Sequence, residues 1–185
     1  MGTDHKHRLC TYEEAEKAIR DQSEFYVNEC FCRGPAKAGE TSWDYCGHDV
    51  NNCMSFREPS GEDAGYEYVR ISQREALDKF ENWKQQGNFF RFMVDDDWLC
   101  FCCGCGCAFF RDENGQKIQD TCENAPFIEK TDLDKCTLCG TCVDVCAYGA
   151  RSIESGEMLV DGDKCPGCSA CEYACPTDAI KMVLR

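Results

Sequence analysis

Two cysteine-rich runs near the C-terminal end carry the clearest chemical signal in the sequence. The first begins at Asp134 and reads DKCTLCGTCVDVCAYGA, and the second begins at Asp163 and reads DKCPGCSACEYACPTDA, so the four cysteines of one recur 29 residues later in the other. Both have the spacing C-x2-C-x2-C-x3-C. Thiolate sulfur is a strong ligand for iron and zinc. Three thiols spaced in this way can surround one metal group, while the fourth, carried into a helical turn, points to a neighbouring group.

This continuous triple spacing is typical of chains that bind two [4Fe-4S] clusters, in which the fourth cysteine of each run ligates the other cluster. We expect cluster one to be bound by Cys136, Cys139, Cys142 and Cys175. We expect cluster two to be bound by Cys165, Cys168, Cys171 and Cys146. A zinc ribbon is disfavoured, because zinc ribbons use pairs of cysteines separated by a linker.

Nine further cysteines lie between residues 30 and 107, five of them in the segment WLCFCCGCGCAFF. The straightforward assignment is two four-thiolate sites, of which one is built from Cys30, Cys32, Cys46 and Cys53. The other would use four of Cys100, Cys102, Cys103, Cys105 and Cys107. Neighbouring side chains diverge unless the backbone bends sharply, so the five could instead be divided between two sites, and glycines 104 and 106 permit such a bend. We predict two more [4Fe-4S] clusters here, four in all, with zinc in one site as the alternative.

The remaining candidate ligands are expected to lie outside these sites. His48 could replace a cysteine, but a surface position is expected for it. His5 and His7 fall in a terminus that we expect to be frayed. Cys10 and Cys122 are predicted to be free or packing thiols.

The composition favours a soluble metalloprotein in a reducing compartment. The 185 residues contain 19 cysteines, which count toward the 43% apolar content, so we expect a modest hydrophobic core. An odd cysteine count and short spacings favour metal over disulfides. No apolar leader or membrane-spanning run is visible, which predicts a cytoplasmic protein without membrane insertion. The net charge of −14 disfavours nucleic acid and suits docking on the basic patch of a redox partner.

The elements that must position these thiols indicate an α+β fold. Capping boxes at Thr11/Glu14 and Ser72/Glu75 predict helices, the first running to about Arg20 and the second ending near Gly87. The runs GYEYVRI and NFFRFMV predict strands, and the acidic turn before Trp98 predicts a solvated loop. We place a cysteine-rich α+β domain at 1–124 and a two-cluster domain at 125–185.

The last 55 or so residues resemble the two-cluster clostridial-type ferredoxins. The resemblance implies a pseudo-symmetric fold of two short hairpins and two short helices, acting as a low-potential one-electron carrier. That family has proline after the fourth cysteine of each run. Pro176 fits the pattern and Ala147 departs from it, which we expect to tune local rigidity and potential. The arrangement CxCR followed by a cysteine knot resembles the N-terminal half of a family of ferredoxin-fused iron–sulfur proteins, in which Gly106 is a departure.

These observations predict an electron-transfer protein, or the electron-transfer subunit of a larger anaerobic oxidoreductase. No general base, nucleophilic triad or phosphate-binding glycine loop is visible, which argues against chemistry of the protein's own. The Cys102–Cys103–Gly104 triplet resembles the CCG element of disulfide reductases that bind noncubane clusters, so a small reductase with a catalytic N-terminal cluster is the alternative. A ferredoxin joined to a zinc-stabilised interaction domain is the third hypothesis.

Overall fold

A six-stranded antiparallel sheet organises the N-terminal part of the chain. The computed structural model describes residues 7–60, 67–93, 97–112, 114–116, 118 and 122–185. Within the sheet the strands run in the order β1-β5-β6-β3-β2-β4. Their bounds are β1 His7–Cys10, β2 Phe25–Asn28, β3 Cys53–Ser55, β4 Tyr68–Ile71, β5 Phe89–Met93 and β6 Trp98–Cys102.

Two amphipathic helices, α1 (Tyr12–Asp21) and α3 (Gln73–Gln85), pack against each other and supply part of the main core. Both begin at the predicted capping boxes, and α3 ends before Gly87, whose φ of +71° stops the helix. The core contains aromatic side chains from both helices and from the sheet. It is larger than the composition suggested, since the aromatic residues are concentrated in this part of the chain.

Strand alternation separates the two faces of the sheet. Side chains of successive residues in a strand point to opposite faces. In β6, Leu99 and Phe101 therefore join the core with the helices, whereas Cys100 and Cys102 face the other side. The register between β3 and β6 then places Cys53 opposite Cys100. A short helix, α2 (Arg33–Lys37), follows Cys30 and Cys32, and a 3-10 turn, Ala108–Phe110, follows the cysteine knot.

The C-terminal part consists of two antiparallel strand pairs and two short helices. Strand β7 pairs with β10, and β8 pairs with β9. The bounds are β7 Phe127–Thr131, α4 Thr141–Asp144, β8 Arg151–Glu154, β9 Glu157–Val160, α5 Ala170–Ala174 and β10 Ile180–Leu184. Its hydrophobic cluster is much smaller than the N-terminal core and has three buried members, Cys142, Met158 and Ile180.

The two cysteine runs adopt the same backbone conformation at matched positions. Left-handed backbone occurs at residues 138, 140 and 149, and again 29 residues later at 167, 169 and 178. Gly167 needs its glycine for a second reason, because a Cβ there would lie 2.1 Å from the carbonyl oxygen of Phe127. The repeat in the sequence is thus also a repeat in local structure.

The two parts of the chain pack directly on each other. The backbone N–H of Tyr12 donates to Ser169 Oγ at 2.7 Å. Tyr148 stacks at an angle against Phe89 and Phe110 across the junction. Ala170 is buried in the aromatic core of the N-terminal part. These contacts fix the position of the C-terminal cysteines relative to the six-stranded sheet.

The strand predictions hold for β4 and β5, although residues 65, 66 and 94 of the predicted runs lie outside the described residues. The expectation of a frayed terminus is wrong for His7, which pairs with Met93 in β1 and packs its ring 4.3 Å from that of Phe109. His5 lies outside the described residues, as do two of the three aspartates of the predicted acidic loop. No helix in the described part of the chain has the length and apolar character needed to span a membrane.

Candidate metal centres

The first C-terminal centre is a small cavity between the two cysteine runs. All four thiols predicted for cluster one line its wall: Cys136, Cys139, Cys142 and Cys175. Three come from the first cysteine run and the fourth from the end of the second, as the crossed ligand pattern requires. Met158 and Ile180 supply apolar lining. The cavity therefore presents four sulfur donors in a mainly apolar wall, a donor set that fits a [4Fe-4S] cluster.

The second centre is also a small cavity between the two cysteine runs. It is lined by the four thiols predicted for cluster two, Cys146, Cys165, Cys168 and Cys171. Here the predicted crossed ligand is Cys146, from the end of the first run. Desolvation raises the pKa of Cys168 to about 12, because burial penalises the thiolate. A bound metal supplies the positive charge that would offset this penalty.

Backbone N–H groups point at sulfur in matched pairs. The N–H of Ala150 donates to Cys146 Sγ, and the N–H of Ala179 donates to Cys175 Sγ, each at 3.3 Å. These donors stabilise negative charge on the two crossed ligands. Hydrogen bonds to cluster sulfur are one of the factors that set reduction potential.

Arg151 lies between the two C-terminal cavities and lines both. Its guanidinium pairs with Glu129 at 2.6 Å, and both side chains are buried, at 2% and 7% exposure. It also lies 4.0 Å from Cys171 Sγ and contacts Cys142. A positive charge is therefore held beside one ligand of each predicted cluster.

Six thiols of the N-terminal part form a closed ring on the sheet face opposite the helices. Side-chain contacts run from each to the next and back to the first, in the order Cys30, Cys53, Cys100, Cys102, Cys107 and Cys32. We call these residues the six-thiol ring. No three of them have sulfurs all within 4.8 Å of one another, so the ring is an open arrangement, not a compact site.

The ring holds its protons unevenly. Side-chain hydrogen bonds from Cys32 and Cys53 lower the pKa of Cys30 to about 3. Hydrogen bonds from Cys102 and Cys32 likewise lower the pKa of Cys107. Contacts with Cys107 and Cys30 raise the pKa of Cys32. Cys30 and Cys107 are therefore the two ring thiols whose neighbours favour the thiolate.

Four other donors form a compact group: Cys46, His48, Cys103 and Cys105. Their ligand atoms all lie within 4.8 Å of one another. Among the described residues, no other set of three or more histidine, cysteine or acidic side chains is this close. We call this set the Cys₃His group.

Two buried arginines compensate the charge of these thiols. Arg33 is 1% exposed and makes no salt bridge with a described carboxylate. Its Nη1 donates to the carbonyl of Phe101 at 2.8 Å and lies 3.8 Å from Cys103 Sγ, and its Nη2 has no partner among the described residues. Arg91, on β5, contacts Cys122 Sγ and stacks over Phe89. A buried guanidinium stays protonated, so nearby thiolates can act as its counterions. Metal binding would require the thiols to be in this deprotonated form.

The structure divides the nine N-terminal cysteines differently from the straightforward assignment. Cys46 separates from Cys30, Cys32 and Cys53, and it joins two members of the knot. The knot itself is shared between two sites, the possibility left open by its adjacent cysteines. His48, for which a surface position was expected, joins one group. The grouping of all nine as iron–sulfur ligands stays a prediction.

The sequence analysis missed the buried arginines Arg33, Arg91 and Arg151. An isolated arginine in a sequence carries no sign that it will be buried. Cys10 is buried in the aromatic core. Cys122 accepts a hydrogen bond from Arg91.

Comparisons with known proteins agree with the C-terminal geometry. Residues 135–179 match the 4Fe-4S dicluster domain. The chain is 41% identical over 58 residues to the archaeal-type NADPH glutamate synthase of Thermotoga maritima, a match that covers 30% of this chain and 11% of the synthase. It is 30% identical over 111 residues to the electron transport protein HydN of Escherichia coli, covering 51% of this chain and 61% of HydN. It is also 31% identical over 109 residues to the putative electron transport protein YsaA of Escherichia coli, covering 50% of this chain and 67% of YsaA.

The matched residues and the two four-thiol cavities define an iron–sulfur protein. Residues 135–179 of the chain are a 4Fe-4S dicluster domain. It spans about a tenth of the length of the synthase and about three fifths of that of HydN.

Proposed function

We propose that the chain is an iron–sulfur electron-transfer protein, or the electron-transfer subunit of an anaerobic oxidoreductase, and that it performs no bond-making chemistry of its own. The observation that carries this proposal is the pair of four-thiol cavities with a shared buried arginine. When bound, a [4Fe-4S] cluster accepts or releases one electron at a potential set by its surroundings. Here the surroundings are apolar lining, directed N–H donors and the charge of Arg151.

The repeated backbone conformation supports a pseudo-symmetric clostridial-type ferredoxin domain at 125–185, preceded by a cysteine-rich α+β domain at 1–124. Matched left-handed positions and matched N–H···S bonds in the two runs are what this fold implies. The small apolar cluster of the C-terminal domain also fits, since bound metal rather than hydrophobic burial would then organise it.

We propose that the six-thiol ring holds a third cluster with four of its sulfurs. The open ring fits several iron atoms better than it fits one ion, and the two flanking arginines offset the charge of its thiolates. The sequence-based expectation was four clusters. The geometry supports three cluster sites and one site of another kind, the Cys₃His group.

The contacts between the two domains support electron passage from one to the other. Cys168, a ligand of the second cavity, packs against the hydrophobic cluster that contains Cys102 and Cys107 of the six-thiol ring. Tyr148 fills the same junction. The proposed order is therefore six-thiol ring, second cavity, Arg151, first cavity.

The partner is proposed to be a redox protein, or a larger oxidoreductase subunit, that offers a basic docking patch. A net charge of −14 favours such a surface and disfavours nucleic acid. We place the protein in the cytoplasm, where reduced thiols persist. Because exposed charges are screened by salt, electron transfer to such a partner should slow as ionic strength rises.

The test is an anaerobic redox titration of the full chain followed by EPR. The proposal expects at least two one-electron centres that reduce reversibly and pass electrons to an external acceptor. Cys139→Ala should remove one of them, whereas Cys10→Ala, which changes a core thiol outside all four groups of thiols, should remove none. A chain that folds but shows no reversible one-electron centre contradicts the proposal.

A small reductase is the second candidate, and the number of thiols in the ring favours it. Six sulfurs are available where one cubane needs about four, so two could serve a disulfide substrate. This function predicts that disulfide-containing compounds alter the EPR signal of the N-terminal centre. An unchanged signal would favour the electron carrier.

A further inference from the structure

The Cys₃His group is too compact for a cluster. Its four donor atoms lie within 4.8 Å of one another, and Cys46 Sγ and Cys103 Sγ are 3.9 Å apart. Two thiolates bound to one tetrahedral zinc ion at about 2.3 Å each lie roughly 3.8 Å apart. Thiolates on a cubane bind different iron atoms and are therefore further from one another. The spacing fits a single ion.

Two backbone N–H groups and one guanidinium are directed at the sulfurs of the group. The backbone N–H of His48 donates to Cys46, and that of Gly106 donates to Cys103. Arg33 adds a positive charge near Cys103. Gly106 also leaves the space that the group needs, because a Cβ there would lie 2.6 Å from Cys46 Sγ.

His48 is oriented by a partner on α3. Its Nδ1 lies 3.2 Å from Oε1 of Gln86, so an Nδ1–H donating to this amide leaves Nε2 as the ligand nitrogen. A metal-binding histidine commonly donates its other N–H to such a partner, which fixes the tautomer and the ring.

We propose that Cys46, His48, Cys103 and Cys105 bind one Zn²⁺ ion in a closed tetrahedral site. Three thiolates and one imidazole complete the coordination and leave no open position, which is typical of a structural site. The ion joins the loop before β3 to the turn after β6 and holds the adjacent six-thiol ring in register. Binding replaces the thiol protons, which are released to solvent. The inference does not depend on the electron-transfer function, and either can fail alone.

The test compares two exposed cysteines, Cys105 and Cys139. The full chain and both alanine variants are expressed with zinc and iron supplied, purified anaerobically and analysed for both metals. The wild type should contain about one zinc per chain. Cys105→Ala should lose zinc and keep its iron, whereas Cys139→Ala should keep zinc and lose iron. A zinc-free wild type, or a Cys105→Ala protein that loses iron while its zinc is unchanged, overturns the proposal.

A second pair of variants covers the case in which Cys105→Ala does not fold. Gln86→Ala removes the partner of His48, and Gln85→Ala changes the neighbouring exposed residue. The first should bind zinc roughly tenfold more weakly in competition with a chelator, and the second should match the wild type. Equal zinc retention by the two variants counts against the site.

Discussion

Gly104 lies directly against Ala147, so that a Cβ on Gly104 would be 2.8 Å from the Cβ of Ala147. Gly104 stands between two cysteines of the Cys₃His group, and Ala147 follows Cys146, the crossed ligand of the second cavity. In the clostridial-type ferredoxins that the C-terminal part resembles, the position that matches Ala147 is proline. The small residues at 104 and 147 are what allow the N-terminal and C-terminal parts of the chain to approach closely at this point.

Gly104→Ala tests this contact. The added methyl group has no room, and such overpacking costs about 1–3 kcal/mol. Gly162→Ala is the matched control, because a Cβ there would meet only one side-chain atom, at 3.7 Å. Anaerobic denaturant unfolding should show a loss of stability for the first variant and a much smaller change for the second. Equal unfolding midpoints for the two variants would mean that Gly104 and Ala147 are not in close contact.

The crossed ligands can be tested by pairing variants. Cys175→Ala should give the same residual EPR spectrum as Cys139→Ala, because both thiols line the first cavity. Cys146→Ala should match Cys168→Ala, because both line the second. Each variant is expected to lose about four iron atoms per chain. If Cys175→Ala instead resembled Cys168→Ala, each run would bind its own cluster.

Replacement of Arg151 and replacement of Glu129 should have opposite effects on the reduction potentials of the two C-terminal clusters. Arg151→Met removes a positive charge beside Cys142 and Cys171 and should lower both reduction potentials. Glu129→Gln removes the nearby negative charge and should raise them. Both break a buried ion pair, which costs about 3–5 kcal/mol of stability. Redox titration followed by EPR measures the shifts, and changes of the same sign in the two variants would exclude an electrostatic cause.

Removal of iron should affect the two domains unequally. The hydrophobic cluster of the C-terminal part has three buried side chains, whereas the N-terminal core is aromatic and extensive. After anaerobic chelation, hydrogen exchange should become fast throughout β7 to β10 and remain slow in α1, α3 and β5. Simultaneous loss of protection in both domains would show that metal, rather than the aromatic core, organises the N-terminal domain as well.

Local signals in the sequence predicted most of what is local in the structure. The capping boxes at Thr11 and Ser72 place both long helices, because a cap depends on residues three positions apart. The thiols that line each C-terminal cavity were likewise predicted from the short spacings within the two cysteine runs. The N-terminal groups depend instead on the register that sets Cys53 opposite Cys100, and on loops that carry Cys46 and His48 to the knot. No short-range pattern encodes these long-range pairings.

The most direct test of the whole account is the metal and sulfide content of the anaerobically purified chain. Three cubanes and one zinc site predict about twelve iron, about twelve acid-labile sulfide and about one zinc per chain. About sixteen iron without zinc would contradict the division of the N-terminal thiols. A colourless, iron-free protein that still folds would contradict the central claim that thiolates in this chain hold iron.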